Sequence, residues 1–295
     1  MKIFNLISAF VNHPLGRKTL FLSFKKFILF QIYFRIMRGE YIYNWINDSR
    51  FIVSPGETGL TGNLYFGLHE FEDMSFLLHY LNKEDTFADI GANVGSYTIL
   101  SGIIKECSVH SFEPIPSTFK KLKRNIAINS KDNNISLYNV GLGEKQGELF
   151  FTNNSISTIN HAVLNESKTG LIKINVETLD SYRINPTVLK IDVEGFEHFV
   201  LKGGIKSLIN EKLKCIIIEL NESGEKYGQN QIEIFEYLIS FGFKSYRYNP
   251  FNRDLTMINK INPSGNNTLF LRDSIDFFTE KLKTSEKYLI NGLYI

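Results

Sequence analysis

From Thr86 onward, short apolar runs alternate with amphipathic ones, and this alternation is the strongest constraint on the fold. "TFADI", "SVHSFE", "ISLYNVGLG", "TVLKIDVEG" and "LKCIIIELNE" read as strands. "SYTILSGIIK", "PSTFKKLKRNIAIN", "FEHFVLKGGIKSLIN" and "NQIEIFEYLISFG" carry helical spacing. Strands apolar along nearly their whole length bury both faces, and intervening helices imply a parallel sheet covered on each side. "GELFF" and "LIKINVETL" flank a polar loop and predict an inserted hairpin over about 148–176. Two last strands, "FKSYRYN" and "NTLFLRD", are joined by a long loop without a strong helix, which predicts an antiparallel edge.

Three acids stand in register on that pattern. Asp89 lies at the end of the first strand, just before the Gly91 turn, Glu113 closes "SVHSFE", and Asp192 closes "VLKID". The carboxyl ends of the strands line the ligand crevice of an open parallel sheet, so the three carboxylates share one rim. An acid at a strand end can also cap the following helix. That accounts for any one of them better than for three together.

The turn "DIGANVGSY" after the first strand could cradle a dinucleotide, a phosphate or S-adenosylmethionine. A dinucleotide fingerprint needs glycines where Asn93 and Ser96 stand, and the GK[ST] of a phosphate loop is absent. Asp89 beside the turn would also repel a pyrophosphate. S-adenosylmethionine has the opposite charge map, with an ammonium, a sulfonium and a ribose diol. Asp89 then attracts the ammonium, Gly91 and Gly95 let the backbone approach closely, and Glu113 can accept both ribose hydroxyls.

"DIGANVGSYT", "SFEPIPSTFKKLKRNIAIN", "NVGLGEKQGELFF", "ETLD", "LKIDVEGFEHFVLKGG" and "IIIELN" together resemble the FkbM family of S-adenosylmethionine-dependent methyltransferases. The resemblance runs in order from about residue 85 to residue 221, and "KIDVEGFE" after "ETLD" is its most specific part. It implies a Rossmann-like class I methyltransferase fold, with a mainly parallel seven-stranded sheet, an antiparallel edge strand and helices on both faces. It also implies methyl transfer to a hydroxyl on a sugar, glycan, lipid-linked or polyketide-like acceptor. Asp89, Gly91, Asn93 and Gly95 match the cofactor loop, Glu113 the ribose acid, and Pro114 would shape the turn beside the adenine. Asp192 and Glu194 match the signature acids near the methyl group, and Glu70 would close the site from the preceding helix.

A hydroxyl nucleophile needs a base. Asp192, Glu194 and His198 are the candidates, with Gly195 turning the chain from strand into helix. Asp192, Glu219 and Asn221 form an oxygen-rich set that would suit Mg²⁺, a lesser alternative. His161 in the insertion could face an acceptor, and the alternating Tyr246 and Tyr248 could stack on a sugar or pack in the core. Two other function classes remain open: a nicotinamide-dependent enzyme on the same fold, and a non-catalytic, membrane-associated binding module.

The net charge of +2 hides an asymmetry, because residues 1–39 hold seven Lys and Arg and no Asp or Glu. That arm is also rich in Phe, Leu and Ile, so it predicts a basic helix packed on the domain with its lysines solvated, or lying on an anionic membrane surface. Lys25 and Lys26 interrupt its longest apolar run, which excludes a span of about 20 residues. Basic residues are not gathered on the catalytic region and no RNA-binding aromatic motif occurs, so nucleic acid is not an expected partner. Cys107 and Cys215 are too widely separated for a zinc knuckle or a disulfide framework. The expected organisation is an arm over 1–50, an extension covering the cofactor site over 51–84, the methyltransferase domain over 85–275 and a tail over 276–295. The expected location is cytoplasmic, with contact at the inner membrane surface through the arm.

Overall fold

The structure is a computed structural model that describes residues 3–37, 39–54, 58–129, 134–152, 162–163, 171–264 and 267–295. Three helices open the chain: α1 (Ile3–Asn12), α2 (Pro14–Lys18) and α3 (Leu20–Met37). The hairpin of β1 (Tyr41–Asn44) and β2 (Arg50–Val53) leads to α4 (Thr58–Phe66) and α5 (Phe71–Tyr80). The alternating region follows with β3 (Thr86–Ile90), α6 (Ser96–Ile99), β4 (Ser108–Phe112), α7 (Pro116–Ala127) and β5 (Ile135–Tyr138). A lateral excursion comprises β6 (Gly141–Leu142), β7 (Gly147–Thr152), β8 (Ala162–Val163) and β9 (Leu171–Glu177). The chain returns through β10 (Val188–Ile191), α8 (Glu197–Lys202), α9 (Ile205–Ile209), β11 (Cys215–Glu219) and α10 (Gln231–Ser240). It ends with β12 (Lys244–Asn249), β13 (Asp254–Met257), β14 (Asn267–Leu271), α11 (Ile275–Thr284), β15 (Leu289–Ile290) and β16 (Leu293–Tyr294).

The central sheet has the order β13-β12-β14-β11-β10-β3-β4-β5. Strands β11, β10, β3, β4 and β5 are mutually parallel, with helices around them, as the alternation requires. Two strands run against the parallel set: β14, which sits between β11 and β12 and is antiparallel to both, and the edge strand β13, antiparallel to β12, which supplies the expected antiparallel edge. An eighth strand, β13, adds the outer edge. Its sequence "DLTM" has no apolar run to announce it, and pairing with β12 supplies the strand.

The insertion is larger than a hairpin. β7 pairs antiparallel with β9, and β6 and β8 complete a four-stranded sheet. His161 lies outside the described residues. The long helix expected after β10 divides at Gly203 and Gly204 into α8 and α9. The expected C-terminal tail forms α11 and a small hairpin, and buries Phe278, Leu282, Tyr288, Ile290 and Ile295.

Two apolar layers sandwich the sheet. One joins Phe76, Leu77 and Tyr80 of α5 to Phe87, Val109, Val188 and Ile217. The other joins Ala88, Ile90, Leu189 and Ile191 to Val200, Leu208 and Leu238. Each fully buried large side chain of this kind contributes about 1.5–3 kcal/mol. Because side chains alternate along a strand, Asp89 and Lys190 fall on the α5 side, two positions beyond Phe87 and Val188. Tyr246 and Tyr248 share that layer and are buried, so packing claims both.

The arm packs on the domain through Phe10, Leu15 and Phe30. Not all its lysines are solvated: Lys26 Nζ donates to Tyr43 Oη at 2.7 Å and to Asn291 Oδ1. No helix among the described residues is long and apolar enough to cross a membrane.

Candidate functional site

The strand order reverses direction of growth between β3 and β10: β4 and β5 extend one way, β10 and β11 the other. A crevice forms where two neighbouring connections leave a sheet in opposite directions. The loops leaving these two strands touch there. Gly91 has φ +81°, and a Cβ on it would stand 1.8 Å from the carbonyl oxygen of Asp192. A side chain at that position would fill the crevice and clash with backbone, so the glycine is required on two grounds. Gly195 has φ +99° and turns the second loop into α8, as its position suggested.

Two cavities open from this junction and share Gly91, Asn93 and Asp192 in their walls. The first is walled by Ile90, Phe112, Ile115, Val140, Leu142 and Phe196, with Glu113, Pro114 and Glu194 among the lining. The second, here the polar cavity, is lined by His69, Glu70, Asp89, Tyr97, Lys190 and Asp192, with Met74 and Gly59.

Glu113 is held at the floor of the apolar cavity by two backbone donors. Asn93 N–H donates to its Oε2 at 3.0 Å and Ile115 N–H to its Oε1 at 2.9 Å. Burial nevertheless pushes its pKa up to about 7, against those two hydrogen bonds. Asn139 Nδ2 donates to the carbonyls of Glu113 and Pro114, both at 2.9 Å, and fixes the turn. Glu194 has φ +54° and lines this same cavity; burial, then the neighbouring Asp192, raises its pKa to about 7.

The polar cavity is organised around one ammonium. Lys190 pairs across the strands with Asp89, and its Nζ donates to Asp192 Oδ2 at 2.8 Å. It also lies 4.6 Å from the centre of the Tyr97 ring. Burial opposes its charge, but Asp192, Glu70 and Asp89 outweigh that and hold its pKa above the ordinary lysine value. Asp89 accepts from Thr98 Oγ1 at 2.7 Å. Its burial raises its pKa to about 6 despite Lys190. Glu70 accepts from Tyr97 Oη, and Asn267 Nδ2 donates to both Glu70 Oε2 and Asp73 Oδ2 at 3.1 Å. Asp73 is buried, and burial and then Glu70 push it up to about 8.

The structure thus brings together Glu70, Asp89, Gly91, Asn93, Glu113, Pro114, Asp192 and Glu194 around the two cavities. Gly95 lies behind them, with φ +99°, at the start of α6. His198 lines neither cavity. It is packed against Phe199 and Tyr237, burial lowers its pKa, and its Nδ1 has no hydrogen-bond partner among the described residues. Glu219 also lines neither, and Asn221 Oδ1 accepts from Ser223 N–H at 2.8 Å as a helix cap. Among the described residues, no group of three or more His, Cys, Asp or Glu is placed to hold a metal ion.

Sequence reasoning missed Lys190, Tyr97, Asp73 and Asn267. Lys190 left a signal: it is a lone charge in "VLKI", a strand buried at all four positions. Asp73 and Asn267 are 194 residues apart and meet only through the packing of α5 against β14.

The residues suit S-adenosylmethionine. Glu113 keeps free lone pairs for a ribose diol, apolar walls stand ready for a purine, and Gly91 leaves backbone room. The polar cavity gathers three carboxyl groups about one ammonium, a set that favours a cationic ligand.

Among known proteins, the hexuronic acid methyltransferase AglP of Haloferax volcanii is 28% identical over 148 residues, covering 49% of this chain and 59% of that protein. The chain therefore spans under two thirds of that relative's length. Solved structures that overlay on it include an rRNA-methylase candidate from Clostridium thermocellum (10% identity, TM-score 0.44, 69% of this chain and 95% of that one). Another is precorrin-6y C5,15-methyltransferase from Geobacter metallireducens (12%, 0.40, 70% and 89%). A third is TYW2 from M. jannaschii in complex with AdoMet (15%, 0.38, 79% and 87%). With TM-scores below 0.5 these overlays add nothing to the fold that the strand order establishes. The model of the methyltransferase FkbM domain matches residues 89–248, more than half of the 295 residues, so the chain belongs to the FkbM methyltransferase family, whose cofactor is S-adenosylmethionine.

Proposed function

We propose that the protein transfers a methyl group to a hydroxyl oxygen of a sugar or glycan. The observation that carries this reading is the composition of the polar cavity: Glu70, Asp89 and Asp192 surround a single ammonium, Lys190. An anionic acceptor atom would be repelled there, whereas a neutral hydroxyl would not. Carboxylates are also what a hydroxyl nucleophile requires, since its proton must leave during transfer.

When bound, S-adenosylmethionine supplies an electrophilic methyl group. Glu113 would hold the ribose diol, Ile115, Val140 and Leu142 the purine, and Asp89 the ammonium. Asp192 lies at the junction of the cavities and Glu70 lines the polar one, so one of these two takes the acceptor's proton. Lys190 and Tyr97 hold the pair in place: Lys190 donates to Asp192, and Tyr97 donates to Glu70. Much of the rate would come from fixing donor and acceptor in line. His198 has no part in this reading.

The partial likeness to a hexuronic acid methyltransferase supports a sugar acceptor, and a sugar acid offers hydroxyls and a carboxylate alike. Incubation with methyl-labelled cofactor and uronic-acid-containing glycans distinguishes them. A methyl ether survives mild alkali and a methyl ester does not. Alkali-stable label is the expected result; release of all label by mild alkali would overturn transfer to a hydroxyl.

A further inference from the structure

The feature that the transfer reaction leaves unused is the outer face of α3. Phe21, Phe24, Ile28, Leu29, Ile32 and Ile36 are all exposed, Phe21 to 85% and Ile36 to 72%. Their spacing places them along one side of the helix. The opposite side, with Ser23 and Phe30, is buried against the domain. A helix apolar on both sides has a second surface that water does not favour.

Lys25 and Arg35 project from the same outer side and are exposed. Arg17 and Lys18 close α2 just ahead of it, with Lys18 Nζ 4.2 Å from the centre of the Phe251 ring. No acid occurs in residues 1–39 to balance them. Pairing of this face with a second copy across a two-fold axis would set like charges against each other. An anionic surface with hydrocarbon beneath it satisfies both features, because the long basic side chains reach headgroups while the apolar residues sink between them.

We propose that α3 lies in the surface of an anionic bilayer and docks the protein there. The face is also close to the chemistry. Phe30 of α3 packs edge-on against Tyr65 of α4, with ring centres 5.9 Å apart. From α4, Gly59 lines the polar cavity and Asn63 Nδ2 donates to Ser96 Oγ at 3.0 Å. One helix therefore separates the bilayer from the cavity wall, and a lipid-linked acceptor would meet the protein on that side. Docking itself does not depend on the identity of the acceptor.

Sedimentation of the full chain with phosphatidylglycerol–phosphatidylcholine vesicles, and with phosphatidylcholine vesicles alone, tests the proposal. The protein should pellet with the first and remain largely free of the second. Lys25→Glu with Arg35→Glu should weaken binding by at least about twentyfold, since each cation near such a surface is worth about fivefold. Phe21→Ser with Ile28→Ser and Ile32→Ser should abolish it. Both variants should keep the wild-type thermal shift with S-adenosylhomocysteine, which shows the fold and cofactor site intact. Failure to pellet, pelleting equally with both vesicle types, or variants that bind like wild type would each overturn it. A dimer seen by light scattering that the serine variant dissolves would assign the face to a second copy instead.

Discussion

At the carboxyl rim of the sheet, Asp89 and Lys190 are almost wholly enclosed, whereas on α3 the rings of Phe21 and Phe24 stand in solvent. The two regions use opposite materials in opposite places. The rim encloses charge, which is costly unless each group is paired or hydrogen-bonded. It meets that condition with Lys190 between Asp89 and Asp192, and with Asn267 and Tyr97 on Glu70. The arm exposes hydrocarbon, which costs little in local structure because its inner side already anchors it. Rim substitutions should therefore disturb stability and cofactor binding together, while substitutions on the outer face of the arm should disturb neither.

The sharpest break should come at Gly91→Ala. Its Cβ would meet the Asp192 carbonyl in a left-handed backbone conformation, so a loss of more than about 4 kcal/mol is expected by denaturant unfolding, with no cofactor binding in any folded fraction. Lys190→Met should come next. It leaves Asp89 and Asp192 as neighbouring carboxyls without their cation, and removing one partner of a buried pair costs about 3–5 kcal/mol. Asp192 is the more exposed partner, which places the expected loss near the lower figure. A wild-type melting temperature for that variant would show that the ammonium does not organise the cavity.

The pH dependence should separate the rim's stability from its ligand affinity. The folded pKa of Glu113 is about 7 and that of Asp89 about 6, both above their unfolded values, because burial disfavours the charged form. Their contribution to stability is fully present below the unfolded values near 4 and is lost as pH rises through 6 and 7. Bound S-adenosylhomocysteine favours both carboxylates, so its affinity should increase from pH 5.5 to pH 8. Thermal melts with and without ligand at the two pH values should show a falling unliganded melting temperature and a growing ligand shift. The smallest effect belongs to the arm: Phe21→Ser should change stability by no more than about 0.5 kcal/mol in the absence of vesicles.

The sequence carried the parallel sheet and its rim because both are written in local pattern: short strands rich in apolar residues alternate with amphipathic helices, and the acids fall at the strand ends. It carried Gly91 for the same reason, as a turn residue between a strand and a helix. It did not carry β13, whose "DLTM" becomes a strand only by pairing with β12. Nor did it carry the Asn267 contact to Asp73 and Glu70, which depends on β14 entering the sheet beside β11. His198 looked suitable because it is near "KIDVEG" in the chain, but α8 turns it toward Tyr237 and away from the cavities. Lys190 was visible throughout as a charge in a buried strand. Its meaning emerged only with the register that sets it beside Asp89.

Everything proposed for the rim depends on Glu113 and the junction of the β3 and β10 loops holding S-adenosylmethionine. Titration calorimetry of the full chain at pH 8 tests it most directly, with S-adenosylhomocysteine and NADH as ligands and Glu113→Gln as the variant. Saturable binding of S-adenosylhomocysteine is expected, with none of NADH and at least about a tenfold weakening in Glu113→Gln, from the loss of a charged hydrogen-bond acceptor. Binding of NADH, or undiminished affinity for S-adenosylhomocysteine in Glu113→Gln, would contradict it.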